Sequence, residues 1–263
     1  MTVEIFNRQE KKYMLDGETY RAVIRRIEER MDSDEHSRAG GFYSICNIYY
    51  DTADDRLIRK SIDKPVYKEK LRLRTYGVPK AQSDAFIEIK KKYRDIVNKR
   101  RIVLPLEQAK AYLDKGEAPT WAGINTQILR ELDYFTDFYR LVPKVYIAYD
   151  RRAYFDREDE SFRVTFDTNI RSRRTDLSLE SGDYGTPLLK SGNWLMEVKI
   201  SHAMPQWFGK ILSEFKLYPV SFSKYGTEYR GYIEDNIKKG EKNVCLNQSS
   251  TQRTRLYRPA HQC

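Results

Sequence analysis

Tyr67-Lys68-Glu69-Lys70-Leu71-Arg72-Leu73-Arg74, then Phe86-Ile87-Glu88-Ile89-Lys90-Lys91-Lys92, then Lys99-Arg100-Arg101, is the stretch that decides the fold. At the two-residue period of a strand, Lys68, Lys70, Arg72 and Arg74 share one face, and Leu71 and Leu73 share the other. In the next run Glu88, Lys90 and Lys92 alternate with Ile87 and Ile89. Gly77-Val78-Pro79 suits the turn between them. The pattern predicts neighbouring antiparallel strands with one charged and one apolar face. Charges on a strand are most simply a solvated face. Here, however, like charges stand opposite one another, which costs stability. A polyanion that neutralises them, or the polar inside of a closed barrel packed under helices, explains the density better.

Outside this stretch the composition sets bounds. The chain has 263 residues, 33% charged and 40% hydrophobic, with 20 tyrosines and a formal net charge of +10. That is enough apolar and aromatic material for a core, in one large domain or two small ones, and it excludes general disorder. The positive charge points to an anionic partner without choosing among nucleic acid, membrane and phosphate compounds. Cys46, Cys245 and Cys263 give no disulfide framework and no metal-ligand spacing. No apolar run approaches the length of a membrane span, and Met1-Thr2-Val3-Glu4 does not read as a signal peptide. The expectation is a cytoplasmic protein.

Taken in order, Glu4 to Leu15 reads as a strand with Phe6, Arg8, Glu10 and Lys12 on one side. Asp16 caps a helix expected from Glu18 to Met31, with Tyr20, Val23, Ile24, Ile27 and Met31 at helical spacing. After Gly40-Gly41 comes a strand over Phe42 to Asp51, then a short helix from Asp54 to Ile62. Three strands follow, over 67–76, 85–93 and 96–104. Helices are expected from Pro105 to Lys115 and from Ile124 to Phe138. Strands resume over 144–150, 161–169 and 194–200, with short pieces near Ala153 and Arg174–Leu177. Ser181 to Gly185 reads as a turn or loop. Pro205 opens a helix with Trp207, Phe208, Ile211, Leu212 and Phe215 as its buried stripe, and a short helix is expected from Glu228 to Ile233. The connections within 67–104 are too short for helical crossovers, so those strands are antiparallel. The expected fold is α+β: a closed eight-stranded antiparallel β-barrel with helices packed outside. It occupies 1–237, and a polar, aperiodic tail over 238–263 is expected to be flexible.

The inward faces collect Lys12, Arg72, Arg74, Lys90, Lys99 or Arg101, Arg151, Arg163, Lys199 and Lys224, with the carboxylates Glu10, Glu88 and Glu197. Such a lining cannot be both dry and empty. A chain of phosphates matches it best, because guanidinium groups grip phosphate oxygens in pairs and lysines act as compact charges. The few acids would repel that ligand unless they hold Mg²⁺ or Mn²⁺ bridged to its oxygens.

Several ordered motifs now bear a resemblance. They are Arg8-Gln9-Glu10-Lys11-Lys12-Tyr13, Ile48-Tyr49-Tyr50-Asp51-Thr52, Lys70-Leu71-Arg72-Leu73-Arg74 and Phe86-Ile87-Glu88-Ile89-Lys90, followed by Arg151-Arg152-Ala153-Tyr154, Arg163-Val164-Thr165-Phe166-Asp167-Thr168, Leu195-Met196-Glu197-Val198-Lys199 and Phe222-Ser223-Lys224-Tyr225. Over roughly residues 4 to 235 the chain resembles the VTC domain, the polyphosphate polymerase domain of the vacuolar transporter chaperone complex. That domain belongs to the triphosphate tunnel superfamily, alongside the CYTH proteins. The resemblance implies polymerisation of the γ-phosphate of ATP, or another nucleoside triphosphate, into inorganic polyphosphate. It implies that Lys12, Arg72, Arg74, Lys90, Arg151, Arg163, Lys199 and Lys224 line the phosphate path. Ser223 joins them, with either Lys99 or Arg101. It makes Glu197 the main ligand for Mn²⁺ or Mg²⁺. Glu10 and Glu88 either assist the metal or orient the cations.

Where CYTH phosphatases and cyclases carry Glu-x-Glu-x-Lys on the first strand, this sequence has Arg8-x-Glu10-x-Lys12. That replacement weakens a hydrolase-type metal site and resembles the polymerase pattern. Neither an SPX-like segment nor a membrane helix is visible, so the chain resembles a stand-alone bacterial version. An envelope or membrane protein partner stays open. The alternatives are a triphosphatase or nucleotide cyclase, acting on triphosphate and releasing phosphate or pyrophosphate, and a non-catalytic polyphosphate-binding module. Nucleic acid is not expected, for no groove-reading element is present. Asp51 is read as a cap, and Tyr49, Tyr50 and Tyr154 as packing. Arg152 competes with Arg151 for the inward position. His36, His202 and His261 lack clustered partners. Lys91-Lys92 and Lys238-Lys239 read as solvated charge that could also steer polyanions.

Overall fold

The computed structural model describes residues 9–37, 41–94, 96–121, 123–201 and 203–238. The expectations for Phe6, Arg8, Gly40, His202, Lys239, Cys245, His261 and Cys263, and for the tail beyond Lys238, lie outside the described residues. The chain divides into a larger unit, Met1–Glu228, and a smaller one, Tyr229–Cys263.

The larger unit is one antiparallel sheet with helices. Its strands are β1 (Gln9–Leu15), β2 (Met31–Ser33), β3 (Tyr43–Asp51), β4 (Tyr67–Tyr76), β5 (Asp84–Tyr93), β6 (Ile96–Pro105), β7 (Val142–Asp156), β8 (Arg163–Arg173), β9 (Thr186–Pro187) and β10 (Trp194–Ile200). Its helices are α1 (Gly17–Ile27), α2 (Arg56–Ile62), α3 (Leu106–Lys115), α4 (Thr126–Tyr139) and α5 (Gln206–Glu214). A sixth, α6 (Lys224–Lys238), begins in the larger unit and runs into the smaller one. The sheet runs β1-β10-β8-β7-β3-β4-β5-β6, with β2 added to β7 and β9 to β8.

The closed eight-stranded barrel is a correction: among the described residues the sheet has ten strands and is open, because β1 and β6 do not pair. The edge of β1 is taken instead by the segment after α5, where Val220 N–H donates to the Lys12 carbonyl at 2.7 Å. The sheet still curls enough for side chains to meet across it. Lys90 Nζ on β5 lies 3.5 Å from Glu10 Oε2 on β1.

Alternation places the core on the convex face. Ile48, Leu71, Leu73, Ile87, Ile89, Ile102 and Leu104 pack under α2, α3 and α4. Tyr13, Leu15, Val164, Phe166, Met196 and Val198 pack under α1 and α5. Hydrophobic burial of the outer face forces every alternate residue, including the charges, onto the concave side.

Local chemistry explains the boundaries. Asp16 caps α1 by accepting from Thr19 N–H at 2.8 Å. That helix ends at Ile27 and not Met31, because Met31 opens β2 opposite Asp156 while staying buried. The strand near Ala153 is not separate. A bulge between Ala148 and Asp150 lets β7 continue to Asp156 and re-aims its side chains. No strand forms over 174–177. Arg173 instead gathers the carbonyls of Asp176, Ser178, Gly182 and Tyr184. Within the turn over 181–185, a Cβ on Gly185 would sit 2.7 Å from the Ser172 carbonyl oxygen, so glycine lets β9 reach β8. Asp51 is a cap, accepting from Thr52, Leu57 and Ile58 N–H and from the Tyr225 hydroxyl. The helix expected at Glu228 begins at Lys224, which puts the Phe222-Ser223-Lys224 run at its start.

Candidate functional site

The concave face carries two charge clusters. On β4, β5 and β6, Glu88 is buried and surrounded by cations. Arg72 Nε donates to it at 2.7 Å, Lys99 Nζ lies 2.6 Å away and Arg74 Nε 3.7 Å away. Burial alone would raise the Glu88 pKa, but Arg72, Arg74 and Lys99 hold it well below the usual carboxylate range. Arg74 also donates to Asn47 Oδ1 at 3.0 Å and to the Tyr149 hydroxyl at 3.1 Å. Arg72 donates to the Tyr49 hydroxyl at 3.2 Å. These guanidiniums are therefore held in place before any ligand arrives. The choice between Lys99 and Arg101 resolves by contact: Lys99 joins Glu88, whereas Arg101 is exposed with its guanidinium 5.2 Å from the Phe86 ring centre.

The second cluster spans β1, β10, β8, β7 and the start of α6. Asp167 is fully buried and grips Arg151 with both oxygens, at 2.6 and 2.8 Å. Lys224 Nζ donates to Asp167 at 2.5 Å and to Glu197 at 3.1 Å. Glu197 also lies 3.4 Å from Arg151 and 3.5 Å from Lys12. Lys12 Nζ reaches Glu10 at 3.2 Å and donates to the Phe222 carbonyl at 2.9 Å. Arg151 is thus the inward residue; Arg152 points to the convex side, 3.1 Å from Glu28. Burial works against ionisation of Glu197, but Lys224, Lys12 and Arg151 keep it well below its ordinary pKa. Glu10 is pulled down to about 2, as Lys90, Lys12 and Lys199 outweigh burial and the neighbouring Glu197.

At the margins, Arg163 Nη2 donates to Asp34 at 2.9 Å, and Lys70 Nζ donates to Ser223 Oγ at 3.0 Å. Lys199 has no ion pair among the described residues; burial and Arg151 push its pKa down to about 8. Burial, Lys90 and Lys68 push Lys70 down to about 7.

The Lys70 shift has a testable sign. Its folded pKa lies below the free lysine value, so the charged form is disfavoured in the fold. That penalty is fully present below about pH 7 and disappears above the ordinary lysine pKa. A polyanion such as a phosphate chain, placed beside Lys70, would remove it. Tripolyphosphate should therefore raise Tm more at about pH 6 than at about pH 9. Lys70→Arg, charged throughout, should lose part of that difference. An unchanged pH dependence in the variant contradicts the assignment.

Sequence reasoning missed Asp167, Lys70, Tyr49 and Tyr149 as contributors. Asp167 was visible as an inward carboxylate two residues from Thr165 and four from Arg163. Lys70 shares its face with Arg72 and Arg74. Tyr50 and Tyr154 are packing residues, as read. Tyr149 stands between cations: its ring centre lies 4.4 Å from Lys224 Nζ and 5.2 Å from the Arg151 guanidinium. No group of three or more His, Cys, Asp or Glu side chains suited to a metal occurs among the described residues. No helix among them is long and apolar enough to cross a membrane.

Comparison with known proteins follows the same lines. The family model of the VTC domain matches residues 7–232. No curated protein matches the chain. Among solved structures, a Bacillus halodurans protein assigned as an adenylate cyclase is similar at 17% identity and a TM-score of 0.50. The match covers 82% of this chain and 95% of that one. A Hippeastrum protein, assigned as an adenylyl cyclase and described with a dominant triphosphatase activity, is similar at 13% identity and a TM-score of 0.50. It covers 85% of this chain and 96% of its own. At these identities the likeness shows a shared fold.

Proposed function

The chain belongs to the VTC domain family, and from that premise we infer that it is a metal-dependent polyphosphate polymerase. It transfers the γ-phosphoryl group of ATP to a growing inorganic polyphosphate chain. One observation carries the reading. Cations from β1, β4, β5, β6, β7, β10 and α6 converge on one concave face, where the facing carboxylates are already shared among several of them. A phosphate chain supplies the missing negative charge.

In this reading Arg72, Arg74, Arg151 and Lys224 grip the triphosphate, because they are the most immobilised cations. Lys12, Lys90, Lys99, Arg163, Lys199 and Ser223 extend the path, and exposed Arg101 stands at its rim. Phosphoryl transfer needs little covalent chemistry from the protein, so position and charge compensation do the work. Lysines and arginines held by Glu88 and Asp167 meet the developing charge without reorganising.

The carboxylates test the metal. Glu10 and Glu197 are ionised, adjacent and bridged by Lys12. Mg²⁺ and Mn²⁺ bound with phosphates commonly take one or two carboxylates and leave the remaining positions to phosphate oxygens and water. The pair fits that donor set, with Glu197 as the main ligand. Bound there, the ion would neutralise charge on the transferring phosphoryl group. Glu88 fits less well: Arg72 and Lys99 hold it at 2.7 and 2.6 Å, closer than the 3.1 to 3.5 Å of the three cations around Glu197, and among the described residues no second carboxylate stands beside it; its role here is to orient Arg72, Arg74 and Lys99.

A second reading, hydrolysis of triphosphate, draws support from the fold shared with the Hippeastrum protein. Incubation with ATP and Mn²⁺ or Mg²⁺, followed by gel separation and staining for polyphosphate, separates the two. A ladder of long products supports the polymerase. Phosphate or pyrophosphate alone supports the hydrolase or cyclase. No turnover with either metal leaves a binding module.

A further inference from the structure

Helix α4 buries Leu132 and Phe135 against the convex face of the sheet, with Ile128, Leu129 and Tyr139 packed beside them. Its opposite side carries two large aromatic rings. Tyr134 and Phe138 are 67% and 57% exposed, and they stack on each other with ring centres 5.7 Å apart. A single exposed aromatic needs no explanation. Two that stack one helical turn apart form a small apolar patch, of the residue types that anchor protein interfaces.

The charges on α4 indicate what covers that patch. Its four charged residues are Arg130, Glu131, Asp133 and Asp137. Glu131 is held by Lys91 and Arg100, and Asp133 accepts from the Tyr112 hydroxyl at 2.7 Å. Arg130 and Asp137 are exposed and make no ion pair among the described residues. They stand on the same outward face, on either side of Tyr134, seven residues or about 10 Å apart along the helix. Opposite charges placed symmetrically about an aromatic centre make the face complementary to itself. An antiparallel copy of the helix, related by a two-fold axis near Tyr134, sets Arg130 against the second copy's Asp137 and Asp137 against the second copy's Arg130. The rings of both copies then lie between the two ion pairs. A parallel copy would set like charge against like charge, which disfavours that arrangement.

We propose that α4 pairs with α4 of a second copy of this chain, antiparallel about a two-fold axis, to form a homodimer. The contact lies over the convex face, and it is independent of what the concave face binds. Two aromatic rings and two charges per copy fall short of a standard interface, so association is weak, in the micromolar range.

Sedimentation velocity of the full chain without ligand, over a concentration series reaching several hundred micromolar, tests it. The wild type should pass from monomer to dimer and go no further, because a two-fold contact closes on itself. Tyr134→Ala/Phe138→Ala should weaken association about tenfold or more. Arg130→Glu alone and Asp137→Lys alone should each weaken it by about tenfold or more, since the two-fold axis repeats the like-charge contact. The Arg130→Glu/Asp137→Lys double variant exchanges the signs and should restore association to within about threefold of the wild type. All four positions are exposed, so the variants should keep the wild-type circular dichroism; should the aromatic variant fold poorly, the charge exchange decides alone. A wild type that stays monomeric throughout overturns the dimer and leaves the face to a different partner. Association that the single charge reversals leave unchanged, or a double reversal as weak as the singles, overturns the α4 pairing. None of these outcomes bears on the proposed function.

Discussion

Asp167→Ala is expected to lower the stability of the folded protein by about 3–5 kcal/mol, the usual cost of removing one member of a buried ion pair. Asp167 is fully buried and is the carboxylate closest to both Arg151 and Lys224. Without it, two cations remain inside the fold with only Glu197 to share, at 3.4 and 3.1 Å. The loss is one of charge more than of packing, and this gives the test its second arm. Long-chain polyphosphate should restore part of the stability, because its oxygens can replace the missing carboxylate. Urea denaturation with and without polyphosphate reads both effects. A loss below about 1 kcal/mol, the level of an exposed pair, contradicts the assignment. A full loss that polyphosphate does not relieve contradicts the link between Asp167 and the ligand.

Glu197→Gln is expected to reduce metal-dependent ATP consumption by roughly 100-fold or more, the scale seen when one preorganised electrostatic group is removed from a reacting centre. The amide keeps the shape and an oxygen acceptor for Lys224 but loses the charge. Metal-free binding of tripolyphosphate should hold or tighten, since a carboxylate that repels phosphate is gone from a face crowded with cations. That split separates a metal ligand from a scaffold residue. Loss of binding together with activity would make Glu197 a structural partner of Lys224 and Lys12. Retained activity would remove it from the reaction.

The sheet was legible where one face is apolar. The alternation of Leu71 and Leu73 with Arg72 and Arg74 places the cations correctly, because burial of the leucines leaves the arginines only one side to occupy. The Asp16 cap was legible for an equally local reason. Contacts distant in sequence were not. Lys99 and Arg101 share a face, and the register sets Arg101 opposite Glu88 and Lys99 opposite Lys90; only the side-chain contact, Lys99 Nζ at 2.6 Å from Glu88, separates them. Arg151 and Arg152 exchange faces if the strand phase slips by one, and the bulge near Asp150 sets that phase. Asp167 shows its inward face in the alternation with Arg163 and Thr165, but not its importance, because its partners come from β7 and the start of α6. Barrel closure was expected from the polar inner face, yet that face needs only a curled sheet. The Val220 bond to β1 decides against closure, and it joins residues far apart in the chain.

The central claim is that the concave face binds a phosphate chain through Arg72, Arg74, Arg151 and Lys224. A crystal structure of the protein with tripolyphosphate tests it most directly. Phosphate oxygens are expected on those side chains, with Glu88 and Asp167 still paired to their cations. Tripolyphosphate bound only on the convex face, with these four cations contacting nothing but their present carboxylates, would contradict it.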